Sequence, residues 1–329
     1  MCAQPPHSGL FVLFLLLSST ALSTAYDIVW TFYPDESGQL LKVTIGSPNQ
    51  NLFLQLGDFR QFDNMRVSNA SYSITRSQTF EQTGLVYDDQ NNQIGVAGLE
   101  TFVIGDDGVF VQDKPLQVIN SGYWQGPYGS LGWMRPSDGS DSFVMSVLKE
   151  VDDTIVIFSF DEVQHDQQVL NSGQIRLGAL PHDRCVDNWS YTPEGLVTQK
   201  AYQWSMSADE IEFGSYTYDS PGRVFLSLQD PVFAFPQSYI APFLKALGAV
   251  DEQHVPCDVD VDFIFYIGQV EIHVTADDYL DRTSEQSGHC ALQTRITPNR
   301  SFYLPSTIFL RYCLLLDYEN FNLGFTERA

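Results

Sequence analysis

Short apolar segments with strand-like alternation recur along the whole chain, and they restrict it to a fold built from strands. Leu41-Lys-Val-Thr-Ile45, Thr154-Ile-Val-Ile-Phe-Ser-Phe160 and Arg223-Val-Phe-Leu-Ser-Leu228 are three of them. Alternation is the period of a strand with one buried face. Asn91-Asn92-Gln93 and Gly105-Asp106-Asp107-Gly108 supply turn chemistry between such segments. Helical patterns are few and short, at Ser142–Glu150 and Gln237–Leu247. Many short strands with scarce helices predict an all-β architecture. The 329 residues are 43% hydrophobic, which is enough for two lobes with sizeable cores. No linker or low-complexity tract interrupts them.

The N-terminus reads as a secretory signal. Leu10-Phe-Val-Leu-Phe-Leu-Leu-Leu17 is an apolar run, and Ser23-Thr24-Ala25 supplies small residues for cleavage after Ala25. The preceding residues lack Lys or Arg. The run is too short to span a bilayer, and no later stretch reaches about 18 apolar residues. The mature chain, from residue 26, is therefore expected outside the cell or in the lysosomal lumen. Its Lys and Arg number 17 against 41 Asp and Glu, a net charge of −24. Such a surface repels nucleic acid and anionic membranes. Once Cys2 leaves with the signal, Cys185, Cys257, Cys290 and Cys313 remain. In an oxidising compartment an even number favours two disulfides, with three pairings open. Zinc is the competing reading, but C-x-x-C and H-x-x-x-H spacings are absent. No metal or cofactor is expected. Asn69-Ala70-Ser71, Asn188-Trp189-Ser190 and Asn299-Arg300-Ser301 are glycosylation sequons, expected to be used if the chain is secreted.

Several motifs follow one another in a recognisable order. They are Ile45-Gly-Ser-Pro-Asn-Gln50, Val86-Tyr87 with Gly95-Val-Ala-Gly-Leu-Glu-Thr101, and Tyr128-Gly-Ser-Leu-Gly-Trp133. Gly173-Gln-Ile-Arg-Leu-Gly-Ala179, Phe235-Pro236 through Leu247-Gly248-Ala249, Phe309-Leu310-Arg311 and Asp317-Tyr-Glu-Asn-Phe-Asn-Leu-Gly-Phe325 complete the series. Together they resemble the pepsin-like aspartic proteases, over almost the whole mature chain. The resemblance implies two β-lobes, 26–178 and 179–329, related by a pseudo-two-fold axis with a cleft between them. It also implies a flap carrying Tyr87, a peptide or protein ligand in the cleft, and a monomer. Cys257 and Cys290 match a family pair that closes a loop in the second lobe. Cys185 and Cys313 are then left to pair, with a buried free thiol at Cys313 as the alternative.

In the active family each lobe supplies Asp-Thr-Gly, and the two carboxylates share one proton because like charges that close cannot both ionise. One serves as base toward water and the other as acid toward the carbonyl. Here the first catalytic position falls on Gly57, with Asp58 and Phe59 in place of Thr and Gly. The second falls on Ser227 counting back from Pro236, or on Leu228 counting forward from Gly222. Neither is an acid. Asn64 replaces an expected Trp, Tyr87-Asp88-Asp89-Gln90 replaces the flap's Tyr-Gly-x-Gly, and Pro305 replaces a Gly. About 20 residues separate Ala25 from the Gly-Ser-Pro turn, room for the first strand but not for the family's inhibitory pro-segment. A non-proteolytic binding protein is thus the leading expectation, and a structural or storage glycoprotein is another. The enzymatic alternative is a shifted dyad of Asp58 and Asp230. It draws on an internal echo between Phe53-Leu-Gln-Leu-Gly-Asp58 and Phe225-Leu-Ser-Leu-Gln-Asp230. Against it, a one-residue shift along a strand turns a side chain to the other face.

Overall fold

A computed structural model of the chain describes residues 27–35, 38–57, 64–88, 90–124, 126–134, 142–165, 168–178, 180, 183–192, 204–228, 230–251 and 253–329. The signal segment 1–25 and Asp58 lie outside the described residues. The fold is all-β, in two lobes. A thirteen-stranded sheet carries the first lobe, from Ile28–Asp35 to Gln168–Leu177. A seven-stranded sheet between Ser205 and Leu304 carries the second, beside a three-stranded sheet around Cys290. The C-terminal strands Tyr312–Asp317 and Leu323–Glu327 cross back and extend the first sheet next to Ile155–His165. The end of the chain is thus hydrogen-bonded into the first lobe's sheet, while the seven-stranded sheet of the second lobe remains a separate layer.

Burial explains why Thr154–Phe160 is not a one-sided strand. Val156 to Phe160 are all buried. This strand is central in the sheet and is covered on both faces, which replaces alternation by a continuous apolar run. Leu41, Val43 and Ile45 do alternate inward, with Lys42 exposed between them. The expected helices are present but shorter. Phe143–Leu148 starts at Ser142, whose hydroxyl accepts the Met145 N–H at 3.1 Å. Gln237–Tyr239 is a 3-10 turn that leads into the helix Ile240–Ala246. Ser306–Leu310 is also a 3-10 turn, so the C-terminal strand begins at Tyr312 rather than at Phe309. Two strands, Ile28–Asp35 and Gly38–Ile45, occupy the interval expected to hold one.

Three buried devices hold the frame. Trp133 is fully buried, and its carbonyl accepts Trp204 Nε1 at 2.8 Å and Tyr318 Oη at 2.6 Å, which joins the lobes. Disulfides link Cys185 to Cys313 and Cys257 to Cys290, so Cys313 is not a free thiol. Glu100, 1% exposed, accepts from Tyr72 Oη, Thr79 Oγ1, Ser77 Oγ at 2.7 Å and the Thr101 N–H at 2.8 Å. It fastens the long strand Gln93–Ile104 to the segment Tyr72–Thr79, which lies against the Gly46-Ser47-Pro48 turn. Gly46 sits there at φ +76°, where a Cβ would come within 2.8 Å of Ser77 Oγ and 3.2 Å of Glu100. Burial and the Glu100 carboxylate push the Tyr72 hydroxyl well above its usual range. Glu100→Gln removes the buried charge on which these four donors converge and forces the hydroxyls on one side to turn from donating to accepting. It is expected to lower stability by about 2–3 kcal/mol, read as a reduced urea midpoint at unchanged slope.

Candidate functional site

The two loops in question leave equivalent strands. Gln50–Leu56 runs parallel to Gly129–Leu131, with Leu56 opposite Leu131, and the Gly57 N–H donates to the Leu131 carbonyl at 2.8 Å. In the second lobe Tyr216–Leu226 runs parallel to Ser301–Leu304, with Leu226 opposite Leu304, and the Ser227 N–H donates to the Leu304 carbonyl at 3.3 Å. The ladders match Leu56 to Leu226 and Gly57 to Ser227, and they match Gly132 to Pro305. Leu228 is fully buried in the core. The internal echo is therefore out of register by two residues. Asp58 itself lies outside the described residues, and the described ladders alone set the offset between the two segments at 170 residues rather than the 172 of the echo.

Ser227 is 5% exposed, and its Oγ accepts the Asp230 N–H at 3.0 Å. Asp230 is tied down by three contacts. Its Oδ1 accepts the Val232 N–H at 3.0 Å, its Oδ2 pairs with Arg295 Nη2 at 2.6 Å, and its carbonyl accepts the Ser306 N–H at 2.9 Å. The turn around Pro231 and the distant Arg295 thus each engage one of its carboxylate oxygens. Gly57 offers only backbone. A Cβ there would lie 2.5 Å from the Leu131 carbonyl oxygen, so the two strands have closed to a distance that only glycine permits.

Glu81–Tyr87 and Gln93–Ile104 form an antiparallel hairpin that carries Tyr87, the residue expected on a flap. Its tip turns on Asp88, whose carboxylate accepts the N–H groups of Gln90 at 3.0 Å and Asn92 at 2.7 Å and the Asn92 amide at 2.9 Å. The Asn92 bonds lower the Asp88 pKa. Tyr87 and Leu85 stand exposed on this hairpin. Phe53 packs edge-on to Tyr128, and Tyr123 is exposed nearby in sequence. The three sequon asparagines lie at the surface.

The sequence profile of the eukaryotic aspartyl protease matches residues 69–328. The chain belongs to that family. Gastricsin of Callithrix jacchus is a relative, 24% identical over 325 aligned residues, covering 88% of this chain and 81% of gastricsin. The family match begins just past the first loop, so the scaffold rather than the Gly57 turn carries it. Among the described residues no group of three or more His, Cys, Asp or Glu side chains is placed to hold a metal ion. Cys185, Cys257, Cys290 and Cys313 are all in disulfides. No described helix is long and apolar enough to cross a membrane.

One charged cluster of this aspartyl protease homologue was not singled out in the sequence. Asp262, Glu271, His273, Arg311 and Glu327 line a cavity of about 660 Å³, where the second-lobe hairpin Phe263–Val274 faces the C-terminal strands. Neither the Gly57 nor the Ser227 loop lines it, whereas Asn188 does. Glu271-Ile272-His273 on one strand was the available signal, because residues two apart share a face.

Proposed function

We propose that this aspartyl protease homologue is a secreted, catalytically inactive glycoprotein that holds a peptide or protein segment between its lobes. The observation that supports inactivity is the matched pair of turns at Gly57 and Ser227. Aspartic catalysis needs two carboxylates that share a proton and hold one water. Gly57 has no side chain, and the Ser227 hydroxyl already accepts a backbone N–H. A shifted dyad gains no support from Asp230, whose carboxylate is paired with Arg295. Secretion or a lysosomal location fits the two disulfides, which persist in oxidising compartments. It also fits the signal pattern ending at Ala25 and the surface sequons at Asn69, Asn188 and Asn299. Lobe boundaries at 26–178 and 179–329, and a monomeric state, belong to the same proposal. Ligand binding rests on the exposed Tyr87 of the flap and on the aromatic Phe53 and Tyr128, surfaces suited to an extended chain.

Purified protein is expected to cleave no protein substrate from about pH 3 to 6, with or without pepstatin. Pepstatin-sensitive cleavage that disappears in Asp58→Asn or Asp230→Asn would establish the shifted dyad instead. A peptide library passed over the immobilised protein should leave retained, uncleaved peptides. Tyr87→Ala should weaken their retention by about tenfold, the effect of one aromatic anchor. Unchanged retention in that variant removes Tyr87 from the binding surface.

A further inference from the structure

His273 is bracketed by acids on both ring nitrogens. Nδ1 lies 3.1 Å from Asp262 Oδ2, and Nε2 lies 2.7 Å from Glu271 Oε1. A neutral imidazole has one N–H, so it donates to one of these carboxylates and turns a lone pair toward the other. Only the imidazolium satisfies both. The backbone of the same residue ties the hairpin to the segment that enters the C-terminal strands. Its N–H donates to Tyr312 Oη at 3.3 Å, and its carbonyl accepts Arg311 Nη2 at 2.9 Å. Arg311 is itself committed to Asp278, a carboxylate with 1% exposure, at 2.5 Å. Glu327 lines the same cavity from the C-terminal strand. The charges around the ring are therefore Asp262, Glu271 and Glu327 against an Arg311 already neutralised.

We infer that His273 is a proton-operated clasp, closed in acid, that pins the segment 257–262 onto the strand Val270–Val274 and so shuts the wall of the cavity between the hairpin Phe263–Val274 and the C-terminal strands. Asp262 ends that segment and Glu271 belongs to the strand, so the imidazolium is the cation that allows the two to approach. With the proton gone, two carboxylates share a wall with Glu327 in a chain already at −24, and Asp262 is released toward water. The pKa agrees in direction. Burial works against the proton, but the hydrogen bonds to Asp262 and Glu271 outweigh it and raise His273 above its ordinary value. A raised pKa in the folded state gives stability that is complete below the unfolded imidazole value of about 6.5 and is lost as pH rises through the folded value. The clasp thus holds in an acidic lumen and loosens towards and above neutrality. This inference is independent of whether the protein binds a peptide.

Hydrogen exchange of the peptide spanning 257–262, corrected for intrinsic rates, tests it at pH 5.5 and pH 8.0. In the unaltered protein, exchange is expected to be faster by about threefold or more at pH 8.0. In His273→Gln it should be fast at both pH values, with Tm at pH 5.5 reduced by about 2–4 °C and little changed relative to the parent at pH 8.0. Asp262→Asn, at a partly exposed position, provides a second variant that should lower the pKa of His273 read by NMR. Equal corrected exchange at the two pH values in the parent overturns the clasp. So does a pH step that survives in His273→Gln, or a His273 pKa unmoved by Asp262→Asn.

Discussion

Placing aspartates at the two positions proposed to correspond to the catalytic acids, Gly57→Asp with Ser227→Asp, is expected to give a less stable protein that still cleaves nothing. At Gly57 the new Cβ meets backbone, 2.5 Å from the Leu131 oxygen, 3.3 Å from its carbonyl carbon and 3.5 Å from the Gly132 Cα. A flexible side chain would move aside, but this neighbour is the strand that pairs with Leu54–Leu56. Relief means opening that parallel ladder, which costs about 1–3 kcal/mol by the usual measure of overpacking. At Ser227 the substitution buries a second carboxylate in the turn that Asp230 already occupies, next to the fixed Pro305. Each of these requires a charge to be desolvated without a dedicated partner. Thermal unfolding of the double variant should begin at least about 5 °C lower than in the parent. Gly57→Ala alone should account for much of the fall, since the steric term needs only a methyl. Acid proteolysis should stay absent in all three. Pepstatin-sensitive cleavage by the double variant, with stability retained, would mean that the loops relax into a working site and that only the two side chains had been lost.

The strands, the glycine turn at Gly46 and the lobe order were legible in the sequence because each leaves a local mark. Alternation marks a strand, a Gly-Ser-Pro marks a turn, and a serine before an apolar run marks the helix start at Ser142. The register of the two loops left no such mark. Phe53–Asp58 and Phe225–Asp230 match in residue type, yet the ladders show that they are displaced by two positions. A two-residue slip in a strand keeps every side chain on its own face, so apolar pattern cannot detect it. The hydrogen bonds to Leu131 and Leu304 give Gly57 and Ser227 corresponding places in the two ladders, which the sequence alone does not show. The contacts that fix the lobes are equally silent in sequence. Trp133 meets Trp204 and Tyr318 across 71 and 185 residues, and Arg295 reaches Asp230 across 65. His273 stood between these cases. The shared face of Glu271 and His273 was readable, but Asp262 joins them only through the hairpin.

Loss of the Cys185–Cys313 bond should destabilise the protein more than loss of Cys257–Cys290, and it carries the largest single expected change. The two bonds close segments of 128 and 33 residues. Chain entropy of the unfolded state then assigns them about 5 and about 4 kcal/mol respectively. Packing widens the gap in the same direction. Cys185 and Cys313 are buried in a small cluster with Ile157 and Leu315, against Trp189. The longer loop also encloses the entire seven-stranded sheet, from Ser205 to Leu304. Cutting it leaves the neck of the second lobe tied by a few backbone bonds, among them Val186 N–H to the Glu327 carbonyl at 2.9 Å. The shorter loop only fastens the three-stranded sheet, which pairs locally at Val255 and Cys290. Replacing each pair by alanine avoids lone thiols and keeps the comparison even. Urea unfolding should give a midpoint for Cys185→Ala/Cys313→Ala well below that of Cys257→Ala/Cys290→Ala, and both below the parent. The reverse order would show that the second lobe gains its cohesion from the small sheet around Cys290 and not from its covalent neck.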